Sequence, residues 1–292
     1  MTDRYVHANG VRLHYVEHGT RGPTLVLLHG LTANAHSFDG FVGAGLADRI
    51  RVLAFDLRGR GESDQPDSYS LADHAQDIVG ALDALGLGRV IMGGHSFGGL
   101  LTFHLAANHP DRVSSCVVID APAQIRPEVF EQIKPSLDRL DVTLPSWGDY
   151  LQLIKRMPYF NGWWDPAIEA FYRADVRENA DGTVRPRSRA AHIRAVIDGF
   201  KDLDWLDTVR RIRQPVLFLR APGAYGPPGS PAVVSSEQAQ VTLENLPNGR
   251  LVEIPGNHMT MLFGSGAQAA AAAMTTFVFD GASLVDEKAT FV

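Results

Sequence analysis

The chain has 292 residues, 45% of them hydrophobic, and a formal net charge of -6 at pH 7. That length can bury a substantial core in one large α/β domain or two small ones, and the composition is that of a soluble globular protein. The mild acidity, without any run of Lys or Arg, argues against a nucleic-acid groove or an anionic membrane surface as partner.

Met1 to His7 lacks the basic-then-apolar profile of a secretion signal. No apolar stretch approaches the ~18 residues of a membrane span, so a cytoplasmic location is expected. The single cysteine, Cys116, sits in an apolar run and reads as a buried structural thiol.

In chain order, Tyr5 to Ala8 and Val11 to Glu17 flank Asn9-Gly10, a dipeptide that favours a two-residue hairpin turn at a sheet edge. Thr24 to Leu28 and Arg51 to Phe55 are continuous apolar runs, the mark of strands buried on both faces. Phe41 to Ala47 fits a helix, and Leu71, Ile78, Leu82 and Leu85 give the next one its apolar stripe. A strand at Val90 to Met92, a helix from Phe97 to Asn108 and a strand from Val113 to Ile119 continue the alternation, which predicts a parallel sheet covered by helices.

After Asp120 the pattern changes. Val129 to Leu140, Trp147 to Met157, Ala167 to Val176 and Arg189 to Phe200 read as helices without an intervening strand, an all-helical insertion broken by an exposed turn at Asn179 to Val184. Alternation resumes with Pro215 to Leu219, a helix around Glu237 to Leu243, the strand Arg250 to Ile254 and an alanine-rich final helix. The expected division is a core of 1–122 and 202–281, a cap of 123–201 and a loosely held tail of 282–292.

Gly94-His95-Ser96-Phe97-Gly98 joins an apolar strand to a helix, the context of a nucleophile elbow, where Gly on either side lets strand and helix pack beneath a strained serine. A serine needs a base in reach and a group to orient that base. His258 lies behind Pro255-Gly256 after the last strand. Asp120 stands at the end of the strand after the elbow helix, and no Asp or Glu occurs between Asp207 and Glu237.

Taken together, His29-Gly30, Asp56 to Ser63, Gly94 to Gly98, a helical cap and Pro255-Gly-Asn-His258 closely resemble the α/β-hydrolase superfamily, in order and along nearly the whole chain. Within it the chain is similar to capped serine hydrolases of the esterase and lactonase kind. The resemblance implies a mostly parallel eight-stranded sheet with the cap after the sixth strand, and a catalytic triad of Ser96, His258 and Asp120. It also implies an oxyanion hole from the Leu31 and Phe97 N–H groups. Serine at the elbow departs from the epoxide hydrolases and haloalkane dehalogenases of the superfamily, whose nucleophile is aspartate. The resemblance also implies that the loop Asp56 to Ser63 is structural, with Asp56 and Arg58 bracing the elbow side of the sheet.

Aromatic crowding in Pro158-Tyr-Phe-Asn-Gly-Trp-Trp164 suggests that Tyr159, Phe160, Trp163 and Trp164 line an apolar pocket, with Phe38 and Met259 adding to its wall. The expected substrate is an apolar ester or lactone, cleaved through an acyl-enzyme. A carbon-carbon bond hydrolase, a thioesterase, or a slow or non-catalytic binding member of the fold carries the same residues. No metal or organic cofactor is implied, because clustered Cys/His ligand spacings are absent.

Overall fold

The computed structural model describes residues 1–227 and 229–280. The expected tail, 282–292, lies outside the described residues. The chain opens with β1 (Thr2–Ala8), β2 (Val11–His18), β3 (Thr24–Leu28), α1 (Asp39–Gly43), β4 (Arg51–Phe55), α2 (Leu71–Ala84), β5 (Val90–His95), α3 (Phe97–Asn108) and β6 (Val113–Ile119). Then come α4 (Glu128–Gln132), α5 (Lys134–Asp138), α6 (Trp147–Lys155), α7 (Pro166–Asp175), β7 (Val176–Glu178), β8 (Val184–Pro186), α8 (Ala190–Phe200) and α9 (Trp205–Arg210). β9 (Val216–Arg220), α10 (Ser236–Glu244), β10 (Gly249–Glu253) and α11 (Gly264–Asp280) complete it.

Eight strands form one sheet in the order β1-β2-β4-β3-β5-β6-β9-β10. β1 turns back on β2 through Asn9 and Gly10, whose φ values of 49° and 76° suit a tight hairpin. β2 is also antiparallel to β4, and the remaining pairings are parallel. The apolar runs of β3, β4 and β5 are buried almost throughout because helices cover both faces. No helix of the described residues is long and apolar enough to cross a membrane.

The register brings the ends of four neighbouring strands to one level. His95 pairs with Ile119, Ile119 with Leu219, and Arg220 with Glu253. The ladder continues one step beyond the strands: Ser96 N–H donates to the Ile119 carbonyl (2.9 Å), Asp120 N–H to Leu219 (2.7 Å) and Ile254 N–H to Arg220 (2.8 Å). The loops after β5, β6, β9 and β10 therefore leave the sheet side by side, at the carboxyl edge where open α/β sheets place their crevice.

Three features differ from the expectation. The insertion is not all-helical: β7 and β8 form an antiparallel pair, and the turn expected at Asn179 to Val184 is the loop that closes it. Strands of three residues are too short to show an alternating pattern. The helix expected over Val129 to Leu140 is split into α4 and α5, with Pro135 in the first turn of α5, where its missing N–H is harmless. In the helix expected over Phe41 to Ala47, α1 stops at Gly43, and Gly45 at φ 92° begins a separate 3-10 turn.

The elbow fixes how closely α3 approaches the sheet. A Cβ on Gly94 would stand 2.1 Å from the Gly98 carbonyl oxygen, and one on Gly98 would stand 1.9 Å from the Leu28 carbonyl oxygen. Backbone cannot yield as a side-chain tip can, so Gly98→Ala should destabilise the fold by about 3 kcal/mol or more, at the upper end of overpacking costs. Urea unfolding followed by circular dichroism measures this; a loss below about 1 kcal/mol would show that α3 can shift away from β3.

Candidate active site

Ser96 occupies φ 55°, ψ -119°, a region that costs a non-glycine residue of order 1–3 kcal/mol and survives only where the surroundings enforce it. Here β5 and α3 enforce it from both sides. The half-buried side chain lies in a cavity that Asp120 and His258 also line.

Asp120 also has a positive φ, of 50°. Its buried carboxylate is fully engaged: Oδ1 accepts the Ala221 N–H at 2.9 Å, and Oδ2 stands 2.7 Å from His258 Nδ1. With the carboxylate ionised, Nδ1 carries the proton and Nε2 keeps the lone pair, the tautomer a general base requires. The structure thus brings Ser96, Asp120 and His258 together.

The histidine loop is held from three directions. Asn257 Oδ1 accepts the Met259 and Thr260 N–H groups (3.0 Å each), while its Nδ2 donates to the Tyr159 carbonyl (2.7 Å). His95 donates from Nε2 to the His258 carbonyl at 2.8 Å, with the two rings 4.4 Å apart. Burial holds His95 well below the usual histidine range, so it stays neutral. Tyr225 presents an edge-on ring contact to His258 at 5.2 Å. Ala221, Tyr225, His95 and Asn257 were not foreseen, because their contributions are backbone groups or contacts between distant loops.

Leu31 and Phe97 line the same cavity, and neither N–H is donated to a protein acceptor among the described residues. The turn carrying Leu31 is braced by buried polar groups. His29 donates from Nδ1 to the Gly30 carbonyl (2.7 Å) and accepts the Leu57 N–H at Nε2 (3.0 Å); burial pushes its pKa down to about 4. Arg60 donates from Nε to the Leu31 carbonyl (3.2 Å), and Arg139, from the insertion, donates to the Thr32 carbonyl (2.9 Å). Arg139 is paired with Asp175 and Tyr150. Arg60 meets no carboxylate among the described residues, and burial draws it down to about 9. Asp56 joins three segments, accepting the Ala35 N–H (2.7 Å) and the Glu62 N–H (2.8 Å) and contacting His14 Nδ1 (2.7 Å).

The cavity wall differs from the expected one. Ile125, Arg126, Val129, Phe130, Ile133, Phe200 and Val233 line it, and Phe38, Tyr159, Phe160, Trp163, Trp164 and Met259 do not. Phe38 is in the core against Phe41. Tyr159 stacks on Tyr225 at 4.9 Å and so backs the histidine indirectly. Phe160 packs inward on Tyr172 and Trp164, Met259 packs beside the core, and Trp163 is 38% exposed near Gly264. α4 has no fully buried residue: Val129 and Phe130 are half-buried, and both line the cavity.

A more polar cavity lies elsewhere, between Asp3, His14, Glu62 and Arg187, and contains no serine or cysteine. Among the described residues no cluster of His, Cys, Asp or Glu is arranged to hold a metal ion.

Comparison with known proteins adds to this geometry. A family described as the alpha/beta hydrolase fold matches residues 23–151. The 2-(acetamidomethylene)succinate hydrolase of Mesorhizobium japonicum is 30% identical over 258 residues, 87% of either chain. A crystal structure of E-2-(acetamidomethylene)succinate hydrolase superposes with a TM-score of 0.80 at 27% identity, covering 95% of this chain and 98% of that one. Epoxide hydrolase 4 of Mus musculus is 37% identical over 128 residues, but the match spans only 42% of this chain and 34% of that protein.

The Asp56–His14 pair makes a stability test. Burial is the largest influence and opposes both charges, but the mutual hydrogen bond, the attraction between the two charges and the neighbouring polar groups together outweigh it, lowering the Asp56 pKa and raising that of His14. The depressed carboxylate contributes stability above its unfolded value of about 4 and loses it in acid; the raised histidine contributes below about 6.5 and loses it as pH rises through its folded value. Asp56→Asn should therefore cost about 3 kcal/mol near pH 5, and less above about pH 8. Urea unfolding at the two pH values decides it: a pH-independent cost would mean that the pair does not ionise.

Proposed function

The chain is a hydrolase of the alpha/beta-hydrolase family, and on that premise we propose that it cleaves an ester or lactone through an acyl-enzyme on Ser96. The observation that carries this reading is the 2.7 Å contact between Asp120 and His258 Nδ1 in a cavity shared with Ser96.

His258 Nε2 takes the Ser96 proton as Oγ attacks the acyl carbon. The negative charge that develops on the carbonyl oxygen is met by the N–H groups of Leu31 and Phe97, the latter at the positive end of α3. His258 then returns the proton to the leaving group, and in the second half it activates water against the acyl-enzyme. Asp120 keeps the imidazole in one tautomer and stabilises it when protonated. Its second oxygen is held by the Ala221 N–H, so it cannot rotate away without leaving a buried donor unsatisfied.

The partial likeness to an epoxide hydrolase does not redirect this chemistry, because the elbow carries serine. An amide is a second candidate for the scissile bond, since the name of the M. japonicum relative includes an acetamido group. The steps are the same, with His258 protonating nitrogen in place of oxygen.

A fluorophosphonate probe followed by peptide mass spectrometry should label Ser96 in the folded protein and leave Ser96→Ala unlabelled; an unlabelled Ser96 would remove the proposal. On a panel of short-chain 4-nitrophenyl esters, Asp120→Asn should lower kcat about 10³- to 10⁴-fold with KM little changed. A loss below about tenfold would mean that Asp120 does not orient the base.

A further inference from the structure

The cavity beside Ser96 is apolar along most of its wall, and its polar side chains are Ser96, Asp120, His258, Gln238 and Arg126. The first three are occupied by the chemistry above. Gln238 is spent on structure, accepting the Ser235 N–H at 3.0 Å and donating to the Gln124 carbonyl at 2.6 Å. Arg126 is different. Its guanidinium offers five donors, and its one contact among the described residues is a long 3.5 Å approach to the Ala232 carbonyl.

Other arginines near the site are held by several close contacts each, Arg60 by the Leu31 and Arg58 carbonyls and His74 with no carboxylate among the described residues, the rest by carboxylates. Arg58 is paired with Asp77, Arg139 with Asp175 and Arg220 with Glu253. Arg126 has no carboxylate partner among the described residues and is half-buried. It also lines a surface groove with Pro127, Lys201 and Leu203, so it stands where the cavity meets solvent. Lys201 is turned to Asp198 and does not compete for an anion there.

We infer that Arg126 receives a carboxylate of the substrate, so that the enzyme acts on acyl compounds that carry an acid group beyond the scissile bond. This rests on Ser96 being the nucleophile. A planar guanidinium matches a carboxylate through two parallel hydrogen bonds, and one cation balances one charge. A phosphate dianion would need a further cation, and the cavity lining holds none. The apolar side chains of Ile125, Val129, Phe130 and Phe200 suit the hydrocarbon between the two polar ends. The cation also supplies a local attraction that the net charge of -6 does not.

The test compares 4-nitrophenyl butyrate with the mono-4-nitrophenyl esters of succinate, glutarate and adipate, and with 4-acetoxybenzoate, which carries its acid on the leaving group. At least one anionic ester should exceed the neutral one in kcat/KM by about tenfold or more, mainly through KM. Arg126→Gln should abolish that preference, and Arg126→Lys should restore part of it. A neutral ester preferred over every anionic one, or a preference that survives Arg126→Gln, overturns the inference.

If no ester is turned over and Ser96 resists the fluorophosphonate, the nucleophile reading fails separately. Calorimetric titration with glutarate, against butyramide as the neutral control, then reads the anion site alone. Glutarate binding that weakens about tenfold in Arg126→Gln upholds it; absence of glutarate binding to the wild-type protein overturns it.

Discussion

A row of main-chain hydrogen bonds across the ends of β5, β6, β9 and β10 sets the geometry of the site. Ser96 to Ile119, Asp120 to Leu219 and Ile254 to Arg220 extend the sheet ladder into loops that would otherwise be free to wander. Each bond is worth about 1 kcal/mol net, but their positional effect is larger, because buried donors left unpaired cost more than formed bonds gain. Both Ser96 and Asp120 take up left-handed backbone at this point. The ladder holds each N–H in the sheet, the chain then turns sharply, and the two side chains emerge on the same edge.

Along the same edge, just past the ends of β3 and β4, polar groups do what apolar packing cannot: they set angles. Asp56 binds two backbone N–H groups from different loops and a histidine from β2, while His29 spans the Gly30 carbonyl and the Leu57 N–H. Buried networks of this kind contribute little net stability, and their value lies in selecting one arrangement. The turn carrying Leu31 needs that, since a backbone N–H stabilises an oxyanion only within hydrogen-bond distance of it.

The sheet was legible because buried parallel strands leave continuous apolar runs, and Gly94, Gly98 and Asn9-Gly10 mark backbone demands that few other residues meet. The contact between Asp120 and His258 was legible from the resemblance to the family, which places a histidine after the last strand and, where the segment after β9 offers no acid, a carboxylate after β6. The cavity wall was not. The aromatic crowding at Tyr159 to Trp164 was visible, but its direction was not: irregular loops have no period from which to read which side faces in. The structure sends those rings to Tyr225, Tyr172 and the surface, and builds much of the wall from Ile125 to Ile133, in and around α4, together with Phe200 and Val233. The β7–β8 hairpin was hidden for a related reason, being shorter than the pattern that would reveal it.

The hydrogen bond from Arg139 to the Thr32 carbonyl has a consequence for protein engineering. The insertion after β6 would ordinarily be regarded as an exchangeable module that tunes specificity while the core runs the reaction. Here the module reaches down and grips the turn that carries Leu31, through an arginine whose charge is balanced within the module by Asp175. A chimera that swaps in a lid from another scaffold exchanges more than a substrate wall; it also takes away one of the two guanidinium groups that hold consecutive carbonyls of that turn. Grafts that carry over Arg139, Tyr150 and Asp175 as a unit keep the hinge between selectivity and turnover intact.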